Sequence, residues 1–251
     1  MASRIDSITN RAIAEAVEAQ WPATVIESVR LADVESQPIR WLWQDRVARG
    51  RLCLLAGDPG VGKSLLTCAI AAAVSTGAAL PGDISRPGAD VLVLSAEDSP
   101  EDTIRPRCEA MGGDLRRIRV VTAVQRDGRE GFFSLGSDLA ALEQELERVA
   151  LLVVDPIDAY VGTGIDSHRA AAIRSLLGPL ASMADRTAVA VLAVQHLTKG
   201  GRDRAIYRPQ GSIGYIAAAR TALLVAADPD DPGGPERHVA GLKSNLVAGT
   251  E

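Results

Sequence analysis

The sequence predicts an α/β fold with a mostly parallel central sheet, helices on both faces and antiparallel closing strands. Three observations carry that expectation. The runs RLCLLAG (51–57), LLVVD (151–155) and AVAVLAVQH (188–196) are continuously apolar or nearly so, as strands buried on both faces require. Segments with helical periodicity alternate with such runs along the chain. A glycine-rich loop, GDPGVGKS (57–64), leaves the first run and opens a helix rich in alanine and leucine.

Taken in order, residues 5–19 read as a helix, with Ile5, Ile8, Ile13, Ala16 and Val17 at helical spacing. Residues 20–45, with Pro22, Pro38 and the cluster WLW, read as an extended lead-in carrying a short strand. One large domain is then expected over 46–251. It begins with the strand at 51–57 and a helix at 63–77 that stops at a glycine. A strand follows at 90–97, with Glu97 at its end. Ser99 as N-cap, Pro100 behind it and Asp102 three residues on start a helix over 99–113, which Pro106 should kink or shorten. Next come a strand at 118–124, a helix at 137–150 and the strand at 151–155. The helical stretch 168–186 should be interrupted near Gly178-Pro179. After the strand at 188–196, the segments 220–228 and 237–245 alternate like closing strands.

Composition narrows the function classes. The chain has 251 residues, 47% hydrophobic and 24% charged, an ordinary globular balance. No apolar run approaches the roughly 20 residues that span a bilayer, so no membrane segment is expected. The N-terminus has no apolar core of a secretory signal. Three scattered cysteines, Cys53, Cys68 and Cys108, fit buried small hydrophobes in a reducing cytoplasm better than a disulfide or zinc framework. The net charge of −5 means that any nucleic-acid contact must come from a local basic patch.

The glycine-rich loop fits G-x-x-x-x-G-K-[ST] completely and sits between a strand and a helix, where that motif belongs. Its glycines let backbone N–H groups close on phosphate oxygens, and the helix N-terminus adds a favourable dipole. Gly57, Asp58, Pro59, Gly60, Val61, Gly62, Lys63, Ser64 and Leu65 are therefore the candidate nucleotide-binding residues. Lys63 is expected to reach the β- and γ-phosphates of ATP and Ser64 to ligate Mg²⁺. Asp155, closing a buried strand, is the candidate to hold Mg²⁺ through water; the competing reading is an Asp that caps the turn before Pro156. Because Pro156 follows Asp155, no acid adjoins it, and either the general base comes from elsewhere or hydrolysis is slow. Asp98, Ser99, Glu101 and Asp102 are explained as helix-start residues, but Glu97 is not. Carboxylates at the C-terminal ends of neighbouring parallel strands converge on one crevice. Glu97 is thus assigned as the base that orients water, against a simple surface acid. Glycine stands where a GTPase would place a base-reading Asp after Thr198-Lys199.

With these residues placed, the chain resembles the RecA-like P-loop ATPases, and more closely the plasmid RepA-type hexameric helicases of the AAA_25 family. The stretches PIRWLW…RGRLCLLAGDPGVGKS, VLVLSAEDSPEDTIRPR, LLVVDPIDAY and VQHLTKG…YRPQGSIGYIAAARTALLV…LKSN carry the resemblance, over about 38 to 245. It implies that Gln195 and His196 sense the γ-phosphate. It also implies that Arg220 is an arginine finger acting in trans, with Lys243 as a second trans candidate. Many relatives carry Lys-x-Arg where this chain has Lys243-Ser244-Asn245, a departure from a paired finger. A homo-oligomeric, hexameric ring follows from the same resemblance.

In such helicases, DNA-contacting loops follow the Asp strand and the sensor strand, here 161–170 and 198–211. The second holds Lys199, Arg202, Arg204 and Arg208 against Asp203, with Tyr207 available for base stacking. The competing reading is a solvated charged loop. The expectation is an Mg-ATP-hydrolysing motor translocating on single-stranded DNA. Alternatives are a RadA-like recombination ATPase and a KaiC-type nucleotide-switched ATPase without DNA contact. Relatives commonly continue past KSNLVAGTE, so a C-terminally truncated fragment is also an expectation.

Overall fold

The structure, a computed structural model, describes residues 26–162, 170–197 and 213–247. The chain divides into two units, Met1–Pro38 and Ile39–Glu251. In the first, a 3-10 turn covers Leu31–Asp33, and the helix expected over 5–19 lies outside the described residues. The second unit opens with a hairpin of β1 (Trp41–Trp43) and β2 (Val47–Ala48), so the WLW cluster of the lead-in pairs within the larger unit.

The strands that follow are β3 (Leu52–Gly57), β4 (Asp90–Ser95), β5 (Ile118–Val121), β6 (Val124–Arg126), β7 (Arg129–Gly131), β8 (Val149–Asp155), β9 (Ala190–His196), β10 (Thr221–Ala227) and β11 (Arg237–Ser244). The helices are α1 (Lys63–Thr76), α2 (Arg105–Ala110), α3 (Leu139–Gln144), α4 (Ala170–Thr187) and α5 (Gly214–Ala218). Among the described residues the main sheet has the order β11-β10-β3-β9-β8-β4-β5. Every neighbouring pair in it is parallel except β10–β11. The mostly parallel sheet with an antiparallel closing strand is the predicted architecture.

Strand alternation sends successive side chains to opposite faces. Leu52, Leu54, Leu92, Leu94, Leu152, Val154, Val191 and Ala193 pack on one face with Ile173, Leu177 and Leu180 of α4 and Tyr215 of α5. Cys53, Leu55, Val91, Val93, Leu151, Val153, Leu192 and Val194 face the other way, toward Ile70 and Val74 of α1 and Cys108 of α2. Both sets are apolar because both faces are covered. Leu177, at 1% exposure, sits in the first layer. Leu177→Ala should destabilise the fold by about 2–5 kcal/mol, read as a drop in the denaturant midpoint at unchanged slope.

Four local expectations are corrected. The segment 99–113 is not one helix: a π turn over Pro100–Ile104 precedes α2. Pro106 has no N–H and its ring crowds the carbonyl four residues back, so the turn before it opens to Arg105 N donating to Pro100 O. The Ser99 cap does form, its hydroxyl accepting from Asp102 N at 3.4 Å. The helix expected over 137–150 shrinks to α3, because Val149 and Ala150 join the apolar run of β8. The strand expected over 118–124 ends at Val121, and Val124 begins a separate hairpin with β7. Finally, α4 runs through Gly178-Pro179 unbroken. The interior proline costs about 3 kcal/mol, and the buried stripe Ile173, Leu176, Leu177, Leu180 and Met183 outweighs it.

Candidate nucleotide site

The loop after β3 has the shape its sequence requires. Gly60 and Gly62 adopt φ of 77° and 96°, in the left-handed region that side chains disfavour. A Cβ on Gly57 would lie 2.6 Å from Val225 O and 3.0 Å from Val61 Cγ1, so only glycine lets β10 and the loop close there. Asp58, Pro59 and Gly60 are exposed. Lys63 begins α1 and is only 4% exposed. Its ammonium folds back to donate to Gly57 O at 2.9 Å and Asp58 O at 3.0 Å. Burial pushes the Lys63 amine below its usual range, opposed by the nearby charges of Asp155, Glu97 and Asp58.

Sheet register brings the remaining groups to the same edge. Gly57 pairs with His196 across β3 and β9, and Ser95 pairs with Asp155 across β4 and β8. Leu197 N donates to Gly57 O at 3.1 Å, tying the end of β9 to the loop. Asp155 is 6% exposed. Burial raises its pKa; the nearby Ser64 hydroxyl pulls the other way, and Glu97 and Asp98 raise it further. Ser64 and Asp155 line one pocket, and a serine hydroxyl beside a carboxylate fits a small hard divalent cation, which takes a few protein oxygens and leaves the rest to phosphate and water.

Glu97 does not end β4, which stops at Ser95; Ala96 N donates to Asp155 O at 3.0 Å, so Glu97 is the second residue past the strand. It meets His196 there, with Nε2 3.5 Å from Glu97 Oε1. Asp98, by contrast, is paired with Arg107 at 2.7 Å. Gln195, fully buried, donates from Nε2 to Asp158 Oδ2 at 2.8 Å. Lys63, Ser64, Glu97, Asp155, Gln195 and His196 thus lie along one sheet edge, although they are scattered over more than half of the sequence.

Arg220 and Lys243 lie elsewhere. Arg220 N donates to Leu52 O at 2.8 Å, at the start of β3, which is the opposite edge of the sheet from the loop. Arg220 lines a cavity of about 390 Å³ there with Arg51, Asp185 and Asn245. The Lys243 ammonium donates to Ile216 O, Ala217 O and Ala219 O at 2.9, 3.1 and 2.7 Å, closing the C-terminal end of α5. Lys199, Arg202, Arg204, Tyr207 and Arg208 lie outside the described residues, as does most of the first expected loop.

Two residues at this edge were not singled out from sequence. Arg237 opens β11 and donates to Val61 O of the loop at 3.2 Å. In the sequence it is one more arginine in a closing strand, and no local signal sets it apart. Asp158 holds Gln195; its position three after Asp155, on a 3-10 turn over Ile157–Tyr160, was a signal that could have been read. No helix among the described residues is long and apolar enough to cross a membrane.

Comparison with known proteins agrees with this geometry. The AAA_25 family, described as an AAA domain, matches residues 18–202. The DNA repair protein RadA of Mycobacterium tuberculosis, from strains CDC 1551 / Oshkosh and ATCC 25618 / H37Rv, is 27% identical over 209 residues, 82% of this chain. The chain spans 37% of the length of those relatives. The strand–loop–helix of the phosphate cradle, the mostly parallel sheet and the family match converge: the chain belongs to the AAA_25 family of RecA-like P-loop ATPases.

Proposed function

We propose that the chain is the ATP-hydrolysing core of a motor that translocates on single-stranded DNA, of the RepA-type replicative helicase kind, working as a head-to-tail homo-oligomeric ring. The observation that carries the hydrolytic part is the meeting of Glu97 and His196, 3.5 Å apart, on the edge that holds Lys63 and Asp155. Lys63 leaves its two carbonyl partners for the β- and γ-phosphates of ATP. Ser64, and Asp155 through water, would hold Mg²⁺, which would neutralise charge on the β- and γ-oxygens. Glu97 orients a water for in-line attack on the γ-phosphorus and takes one of its protons as the bond to the bridging oxygen breaks. His196, against Glu97, reads whether the γ-phosphate is present, and Gln195 at the same strand end passes that state to the segment after β9.

DNA contact is assigned to that segment through Lys199, Arg202, Arg204, Tyr207 and Arg208. The similarity to a DNA repair protein supports an action on DNA and also a second reading, a RadA-like repair ATPase. Steady-state Mg-ATP hydrolysis, with and without single-stranded DNA, tests the proposal. Wild type should be stimulated by DNA. Joint change of Arg202, Arg204 and Arg208 to alanine should remove the stimulation and keep basal turnover. Lys63→Ala should lower turnover by about 10²–10³-fold with or without DNA, since it removes a charge aimed at the transferring phosphoryl group. A wild type that DNA does not stimulate at any salt concentration would leave a nucleotide-switched ATPase without DNA contact. Strand separation against strand exchange then divides the helicase from the repair reading.

A further inference from the structure

We infer that Asp158 is a positioning residue for hydrolysis, fixing which way the Gln195 amide points and with it the end of β9. The inference rests on the ATPase reading above. A primary amide has a donor end and an acceptor end, and packing alone hardly distinguishes them. An ionised carboxylate only accepts. With Asp158 Oδ2 2.8 Å away, Gln195 must present Nε2 to it, and Oε1 is turned to the other side. Nε2 also reaches His196 O at 3.4 Å, so the amide bridges the turn after Asp155 to the backbone of the residue that meets Glu97.

The surroundings show why the group must be held. Gln195 is 0% exposed, and a buried amide with a lost partner is costly, so its rotation is coupled to whatever Asp158 offers. Tyr215 of α5, also 0% exposed, brings its hydroxyl against the Asp158 carboxylate without a well-aligned hydrogen bond. The carboxylate is therefore clamped between β9 and α5. Burial raises its pKa, countered by Tyr215, Gln195 and His196. Phosphate sensing at His196 thus depends on an acid that acts through the Gln195 amide.

Two replacements with the branched shape of aspartate separate the acceptor from the packing. Asp158→Asn keeps an acceptor for Gln195, whereas Asp158→Leu keeps the branching in a bulkier side chain and offers none. Asp158→Leu should lower kcat by about 10–100-fold while KM for ATP and the affinity for a non-hydrolysable analogue change less than about threefold, the pattern of a misplaced reacting group. Asp158→Asn should stay within about fivefold of wild type, since its carbonyl can still accept. A Leu variant with wild-type kcat, equal losses in both variants, or a parallel loss of nucleotide affinity would each overturn the assignment.

NMR of the Gln195 side-chain amide in the nucleotide-free protein tests the contact without turnover, whether or not the Leu variant folds. Its protons should be protected from exchange in wild type and displaced in Asp158→Asn. Rapidly exchanging protons in wild type, or an unmoved resonance in the variant, would refute it. A wild type that does not hydrolyse ATP would sink the ATPase reading, while the amide resonance still decides the contact.

Discussion

Glu97→Gln is expected to lower kcat by about 10²–10⁴-fold with nucleotide affinity retained, the range of a lost general base. The amide has the size and hydrogen-bonding reach of the acid but cannot take a proton from water. The alternatives on this edge are engaged in other ways. Asp98 is paired with Arg107 at 2.7 Å, Asp158 accepts from Gln195 at 2.8 Å, and Asp155 is buried beside Ser64. Pro156 stands where an acid adjoining Asp155 would be. Glu97 is more than half exposed, so it opens on the same solvent from which the attacking water comes, and Lys63 and Asp155 both feel its charge. Phosphate release in a single turnover, together with equilibrium binding of a non-hydrolysable analogue, measures the effect. A loss below tenfold would move the base elsewhere and leave Glu97 as a surface acid.

The layered fold was legible because the central strands β3, β8 and β9 are nearly uninterrupted apolar runs and α1 is bounded by Gly62 and Gly77. The loop was legible because the backbone conformation of Gly60 and Gly62, and the crowding at Gly57, admit little but glycine. What sequence reading got wrong were boundaries set by competition between neighbours. Val149 looks as helical as strand-like until the sheet offers it a partner in Asp90. Pro179 looks like a break until the stripe beneath α4 is seen to be buried on both sides of it. Local propensity is worth a fraction of a kcal/mol per ordinary residue, and a packed apolar face outweighs it.

The site divides along the same line. Lys63, Ser64 and Asp155 stood out as candidates because of their spacing within one strand–loop–helix unit, or their place at one strand end. Asp158 and Arg237 act through partners 37 and 176 residues away, at Gln195 and Val61, and no window of sequence contains such a pair. Lys243 shows the reverse case. A rare lysine stands out in a chain rich in arginine, yet its ammonium is engaged by three carbonyls at the end of α5. Its contact with the field of Arg220, which lowers its pKa behind the larger effect of burial, makes it a neighbour of the finger candidate.

Arg220→Ala should lower turnover by about 10³–10⁵-fold, the range of a lost arginine finger, and the loss should be repaired by mixing with a second dead variant. Within one subunit Arg220 cannot serve its own loop. It precedes Thr221, which pairs with Cys53, whereas Gly57 pairs with Val225, so about 13 Å of parallel strand at about 3.3 Å per residue separates the two edges. A head-to-tail neighbour would present that opposite edge to the loop, which is the heterologous contact that closes rings. Lys63→Ala retains Arg220, and Arg220→Ala retains an intact loop. Random mixing of equal amounts puts an intact loop against an intact finger at about one quarter of the interfaces of a head-to-tail ring. The mixture should therefore hydrolyse ATP well above the sum of its two inactive parts, at a protein concentration where subunits exchange. A mixture no more active than its components, with exchange confirmed by labelled subunits, would remove Arg220 from catalysis and leave it as an exposed arginine opening β10.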